Sequence, residues 1–119
     1  MNQIEITVMK PQAALESFAA TWRRTEAGET DITPQLAFGS LRDLFSALTE
    51  KRLELLCYIT THEGLNIRQV AQAVGRNYKN VYADVKELVE LGLLERNEQD
   101  HLSAPFDEIV IHAGLRDAA

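Results

Sequence analysis

Residues 66–92 carry the pattern that most restricts how this chain can fold. Apolar residues recur at helical spacing over residues 67–74 and again over residues 81–88, and a glycine follows each run, Gly75 and Gly92. Glycine at the end of a helix adopts the left-handed conformation that other residues resist. The pattern therefore predicts two short helices, with the chain reversing direction at Gly75.

The neighbouring segments complete a known order of elements. A helix capped by Thr49 is predicted to run to Gly64, and residues 93–102 are predicted to form strand, polar turn and strand, with residues 97–100 as the turn. Helix, short helix, helix and hairpin is the order of a winged helix-turn-helix. The spacing of that motif is met by Val70, Ala71, Val74, Gly75 and Val81. Asp84 departs from it, because an apolar residue is expected there, and this leaves the angle of the second helix open.

The first 35 residues follow a different pattern and are predicted to form an arm and a linker. The predicted strand contains Ile4, Ile6 and Val8. The following helix, which begins at Pro11, has an apolar stripe of Leu15, Phe18, Ala19 and Trp22. Residues 25–35 are rich in Gly, Pro and Thr and are predicted to be a loop, while residues 35–38 fit either a short strand or the approach to the next helix.

These patterns together predict a mainly α protein with a small β component, in the α+β class. Residues 1–35 are expected to be the strand–helix arm and linker, and residues 36–119 the winged helix-turn-helix domain. Residues 107–113 alternate as a further strand. The arm is amphipathic, so it could cover the same core, pair with a second subunit or dock another protein, and we favour dimerisation.

Charge is distributed unevenly along the chain. The net charge is −6, yet residues 66–86 hold four bases against one acid, while residues 87–119 hold two bases against eight acids. A local basic surface can meet phosphates even when the rest of a protein is acidic. On charge alone, solvation of two surface helices explains the same bases.

The segment "LTEKRLELLCYITTHEGLNIRQVAQAVGRNYKNVYADVKELVELGLLER" resembles the winged-helix core of prokaryotic MarR-like regulators. The resemblance covers about residues 40–112 and is most specific from Gly75 to Arg96. It implies a DNA-binding transcription regulator that is usually dimeric and sometimes the antitoxin of a toxin and antitoxin pair. On the second helix it places Val81, Val85 and Leu88 on the core side, and Lys79, Asn80, Tyr82, Ala83 and Lys86 on the groove side. Relatives often have arginine at the position of Ala83, so this chain lacks one potential reader of guanine.

Elementary chemistry supports the same roles. Asparagine can bond both edges of an adenine, so Asn80 is a candidate base reader. Arg76 and Lys79 lie near the amino end of a helix, where its dipole also attracts phosphate. The predicted hairpin turn is acidic, so at most Arg96 is expected to contact DNA from there. The candidate DNA-binding residues are Arg68, Arg76, Asn77, Tyr78, Lys79, Asn80, Tyr82, Lys86 and Arg96.

Other chemistry is not indicated. Cys57 is the only cysteine and is expected to be a small core residue, and the histidines at 62, 101 and 112 have no ligand spacing. The sequence has no phosphate loop and no nucleophile elbow. We therefore predict no enzyme activity, no metal and no cofactor.

The predicted function is a sequence-specific DNA-binding transcriptional regulator, a dimeric repressor of its own or a neighbouring operon, with double-stranded DNA as partner. The alternative is an antitoxin or other protein-binding module whose acidic ends neutralise a basic partner encoded nearby, such as a toxin. RNA binding is disfavoured because no aromatic sheet platform is evident. The absence of a basic n-region and of a long apolar segment predicts a cytoplasmic protein with no membrane association.

Overall fold

A computed structural model describes residues 2–28 and 33–115 of the chain. Within these residues the protein has the predicted α+β composition, with five helices and five strands. In chain order these are β1 (Gln3–Val8), α1 (Pro11–Glu26), β2 (Gln35–Phe38), α2 (Leu41–Ala47), α3 (Glu50–Thr61), α4 (Ile67–Val74), α5 (Tyr78–Glu90), β3 (Glu95–Arg96), β4 (Leu102–Ser103) and β5 (Glu108–Ala113). None of the described helices is long and apolar enough to cross a lipid bilayer.

The chain divides into two compact units. A sheet unit contains Gln3–Ser46 together with the segment that begins at Glu108, and a helical unit contains Ala47–Asp107 together with Asn2. This division differs from the predicted boundary between residues 35 and 36. The reason is that β5 pairs with β1, which joins the C-terminal strand to the N-terminal segment.

The sheet unit is built on three parallel strands in the order β2-β1-β5. The predicted strand at the N-terminus is confirmed, and residues 35–38 form strand β2. Ile4 and Ile6 are buried, as their alternation predicts, and Leu44 of α2 is buried in the same unit. In the register of the sheet, Ile4 pairs with Ile109 and Ile6 with Ile111. Paired residues share a face, so these isoleucines form one apolar layer.

Helix α1 leaves its predicted apolar stripe uncovered. Leu15, Phe18 and Trp22 are 70%, 47% and 67% exposed, so this stripe does not pack within the described part of the chain. The helix is also longer than predicted and takes in Thr25 and Glu26. Of the predicted loop at residues 25–35, residues 29–32 lie outside the described residues.

The core of the helical unit is contributed by α3, α4, α5 and the hairpin of β3 and β4. Its buried side chains are Leu48, Leu55, Leu56, Ile59, Ile67, Val70, Ala71, Val81, Val85, Leu88, Leu93, Leu94 and Leu102. Cys57 is exposed, so the prediction that it belongs to the core is wrong. On α3 the buried stripe runs through Leu55, Leu56 and Ile59, and at 100° per residue Cys57 lies nearly opposite that stripe.

The boundaries of α4 and α5 follow local chemistry. The Asn66 side chain accepts a hydrogen bond from the Gln69 backbone at 2.8 Å, and the Gln69 side chain accepts one from the Asn66 backbone at 2.9 Å; these two reciprocal bonds form a capping box at the start of α4. Gly75 ends α4 with a φ of 70°, the left-handed conformation expected of it. Asn77 then caps α5 by accepting a hydrogen bond from the Lys79 backbone at 2.8 Å.

The predicted hairpin is also present after α5. Strands β3 and β4 are antiparallel, with Arg96 paired to Leu102. In the turn, the Asn97 side chain accepts hydrogen bonds from the backbones of Gln99 and His101, both at 2.9 Å. An asparagine that accepts hydrogen bonds from the backbone of the residues after it stabilises such a turn locally.

Candidate functional site

The exposed side of α5 brings most of the candidate residues together. Its buried side consists of Val81, Val85 and Leu88, in agreement with the prediction. The candidates Tyr78, Lys79, Asn80, Tyr82 and Lys86 are all exposed. Because residues three and four apart on a helix are neighbours, Lys79, Tyr82 and Lys86 lie along one strip of this surface.

Two tyrosines and two arginines form a continuous row across the amino end of this surface. The Arg68 guanidinium carbon of α4 lies 5.1 Å from the centre of the Tyr78 ring, and the Arg96 guanidinium carbon of β3 lies 5.9 Å from that of Tyr82. The two ring centres are 6.1 Å apart. We call these four residues the guanidinium–tyrosine row. Attraction between a cation and an aromatic face helps to hold each arginine in place.

A small cleft lies beside this row, between the start of α4 and the hairpin turn. Its volume is about 230 Å³, and its lining includes Arg68, Tyr78, Arg96, Gln99 and Asp100. Oδ1 of Asp100 lies 3.1 Å from Nε of Arg96, and this ion pair partly neutralises the charge of Arg96. The predicted hairpin turn therefore carries acids, and one of them, Asp100, is paired with the one base of the hairpin that was expected to reach DNA.

Arg76 is placed differently from the other candidate bases. Its Nη2 lies 2.7 Å from Oδ2 of Asp84, and its side chain is only 17% exposed. Its Nη1 is buried and makes no hydrogen bond within the described part of the chain. Arg76 was predicted to contact DNA; in the structure its guanidinium is paired with Asp84 of α5, and it borders the wider cleft described below.

Asp84 is the centre of an ion cluster that the sequence did not predict. Its Oδ2 accepts the hydrogen bond from Arg76, and its Oδ1 accepts one from Nε of Arg52, on α3, at 3.0 Å. We call these three residues the Arg52–Asp84–Arg76 triad. Arg52 also donates to the Ala47 carbonyl at 3.0 Å. Burial alone would raise the pKa of Asp84, but the hydrogen bonds and positive charges of Arg76 and Arg52 outweigh burial and lower that pKa.

The triad explains the one departure from the helix-turn-helix spacing. An acid replaces the expected apolar residue, and two guanidinium groups compensate its charge, so α5 is held against α3 by ion pairs at this point. The signal in the sequence was the misfit of Asp84 itself, because a half-buried acid requires a cation nearby. The spacing of residues along the chain did not show which of the twelve basic residues would pair with Asp84.

A wider cleft flanks α5 on the side away from the hairpin. It has a volume of about 800 Å³ and is bordered by Lys51 of α3 and by Asn77, Asn80 and Ala83. The small side chain of Ala83 leaves room there for a ligand to approach Asn80. Lys51 is an exposed base at this border that was not among the predicted site residues.

The histidines and the cysteine do not gather into a metal site. Within residues 2–28 and 33–115, no group of three or more His, Cys, Asp or Glu side chains is arranged to hold a metal ion. His62 ends α3, His101 lies in the hairpin and His112 lies on β5, which are the positions that the sequence predicts for them.

Comparison with known proteins gives one match. A family model described as HVO_A0114 matches residues 47–111, which is more than half of the chain. The matched segment includes every candidate DNA-contacting residue and the whole triad. No curated protein and no solved structure matches the chain significantly.

Proposed function

The chain belongs to the HVO_A0114 family, and we propose that it is a sequence-specific transcriptional regulator that binds double-stranded DNA as a homodimer. In this proposal α3, α4 and α5 with the β3–β4 hairpin form a winged helix-turn-helix, and α5 enters the major groove. The resemblance of residues 40–112 to MarR-like regulators is consistent with it, as is a role as a repressor of a nearby operon.

The guanidinium–tyrosine row is the observation that carries the proposal. It presents two cations, Arg68 and Arg96, from two different elements, and both border the same small cleft beside the exposed surface of α5. A helix that lies in the major groove has phosphates along its edges, and two cations fixed at one edge of α5 are suited to contact them. If these arginines served only to solvate the surface of the helices, they would not need to come from two different elements and stack on tyrosines of a third.

The remaining exposed residues are of two kinds, those suited to contact DNA phosphates and those suited to contact bases. Lys79, at the amino end of α5, and Lys86, two turns further on, are suited to phosphates. Asn80 is free to bond an adenine edge from the wider cleft, and the Tyr82 hydroxyl can reach a base or a phosphate. The amide oxygen of Asn77 is used to cap α5, so only its amide nitrogen is left to donate to a phosphate.

The test is selection of bound duplexes from a random library, followed by titration of a selected and a scrambled duplex at several salt concentrations. Lys79→Ala should weaken binding to both and reduce the slope of log K against log salt by about 1.8, because a dimer loses one phosphate contact in each copy. Asn80→Ala should weaken the selected duplex by about 5- to 150-fold for each half-site and the scrambled one little. Lys10→Ala, an exposed base of the sheet unit, is the control and should change neither. Equal affinity of the unaltered protein for both duplexes would overturn sequence-specific binding.

A second candidate function is supported by the acids that follow the site. All seven acidic residues in the described part of segment 87–119 are exposed, and exposed acids are suited to contacts with a basic protein partner. This favours the antitoxin alternative, in which the protein neutralises the product of an adjacent gene and also regulates its operon. Co-purification of that product should be weakened by Glu87→Gln with Glu90→Gln. Absence of any co-purified product from the unaltered protein would rule out this function.

A further inference from the structure

Strand β5 forms one edge of the three-stranded sheet. Among the described residues it pairs only with β1, and it is six residues long, whereas β2 at the opposite edge has four. An open edge offers unpaired backbone N–H and C=O groups to another strand, and proteins usually protect such edges with lysine, proline or a bulge. The sequence of β5, "EIVIHA", contains neither lysine nor proline. Its Ile111 is 48% exposed although it continues the apolar layer of the sheet.

We propose that β5 pairs with β5 of a second copy, antiparallel, and that the two sheets join into one of six strands. A two-fold axis perpendicular to the sheet at Val110 places Val110 opposite itself, Ile109 opposite Ile111 of the second copy, and Glu108 opposite His112 of the second copy. This deepens the homodimer part of the proposed function by assigning the contact to a strand edge, and it does not depend on DNA binding.

The charge and polarity of the paired residues favour this register over the two nearest alternative registers. Residues directly opposite each other in an antiparallel pair share a face, so the register can shift only in steps that keep this match. An axis at Ile109 would place Glu108 opposite Val110, and an axis at Ile111 would place His112 opposite Val110. With the axis at Val110, acid faces histidine and isoleucine faces isoleucine, and such cross-strand pairs stabilise a sheet.

The same axis extends the apolar layer without interruption. Ile109 and Ile111 pair with Ile4 and Ile6 in the sheet of one copy, so all four lie on one face. A perpendicular two-fold axis keeps this face on the same side in both copies. Each exposed Ile111 would then be covered by Ile109 of the second copy, which removes apolar surface from water.

Disulfide formation tests the register directly, with the native thiol removed by Cys57→Ser. Val110→Cys should cross-link the two copies under mild oxidation, because the two sulfurs lie across from each other. His112→Cys alone is the matched control: its counterpart lies four residues away along the strand, about 14 Å, and should not cross-link. Glu108→Cys with His112→Cys should restore the cross-link. Failure of Val110→Cys to cross-link, or equal cross-linking of His112→Cys, would overturn the proposal.

Light scattering after size exclusion tests the surface itself. The unaltered protein should be a dimer at micromolar concentration, Ile111→Lys should be a monomer with unchanged circular dichroism, and Leu15→Lys on the exposed stripe of α1 should remain a dimer. A monomeric unaltered protein, or dissociation caused by Leu15→Lys rather than Ile111→Lys, would overturn the β5 contact. If Ile111→Lys does not fold, the cysteine variants decide. A cross-linked dimer that binds no DNA would contradict only the proposed function, whereas a dimer that binds DNA but is not cross-linked through Val110→Cys would contradict only this inference.

Discussion

Replacing Asp84 by leucine tests whether the triad, rather than the apolar pattern of α5, holds this helix in place. The spacing of the motif favours an apolar residue at this position, so a pattern-based argument expects Asp84→Leu to be neutral or stabilising. The structure indicates the opposite. The substitution removes two charge-assisted hydrogen bonds, of 2.7 and 3.0 Å, and leaves Arg52 and Arg76 half-buried without their acid.

The expected loss can be sized from these two contacts. A hydrogen bond to a charged group contributes about 1.5–3 kcal/mol, and the sum is reduced here because the two arginines are 17–18% exposed and can regain some water. We expect the free energy of unfolding to fall by about 2–4 kcal/mol, somewhat less than the about 3–5 kcal/mol that breaking a fully buried pair costs. Urea denaturation followed by circular dichroism at 222 nm measures it, since the signal comes from the helices.

A triple variant provides the control. Asp84→Leu combined with Arg52→Met and Arg76→Met removes the stranded cations, and replacing a whole buried ion cluster by apolar residues is often close to neutral. The triple variant should therefore be more stable than Asp84→Leu alone. If Asp84→Leu lies within about 0.5 kcal/mol of the unaltered protein, which is the ordinary range of surface substitutions, the triad does not stabilise α5 and the reasoning is refuted.

Three further predictions concern acid, the turn and the tyrosines. The pKa of Asp84 is lower in the folded protein than in the unfolded chain, so the triad stabilises the fold fully above the unfolded pKa of about 3.9. This stabilisation is lost as the pH falls through the folded pKa. In denaturation curves, the difference in stability between Asp84→Asn and the unaltered protein should therefore shrink below about pH 4. Gly75→Ala should cost about 1–2 kcal/mol in the same assay, because φ is 70° there while no atom obstructs an added Cβ, and Gly75→Asn should cost less. Tyr82→Ala should weaken DNA binding about two- to fivefold more than Tyr82→Phe does, because Tyr82→Ala removes both the hydroxyl and the ring that holds Arg96, whereas Tyr82→Phe removes only the hydroxyl; equal loss in both would show that the stacking does not contribute.

Local patterns predicted the helical unit well. The caps at Asn66 and Asn77, the glycine turn and the buried face of α5 are all decided by residues within a few positions of each other, so the sequence carries them directly. The hairpin turn is determined in the same way by Asn97. In each case a short-range hydrogen bond or a conformational preference decides the structure.

Long-range pairings account for what the sequence did not predict. Arg76 looks like a free base in the sequence, and only the approach of Asp84 turns it inward. The pairing of β5 with β1 joins residues that are separated by most of the chain, and no local signal gives a strand its partner. The core face of α3 was misjudged at Cys57 because its apolar residues fit more than one stripe.

The parallel pairing of β1 with β5 also has a consequence for synthesis of the protein. Gln3 pairs with Glu108, so β1 leaves the ribosome long before its partner strand has been translated. The helical unit, whose contacts are closer in sequence, can fold during that interval, whereas closing so long a loop makes the sheet slow to form. We therefore expect β1 to pair first with β2 and to keep its other edge open on the nascent chain until β5 is made. Completion of the sheet is then the last step of folding, and the open edge of β1 is the part that most needs protection from aggregation.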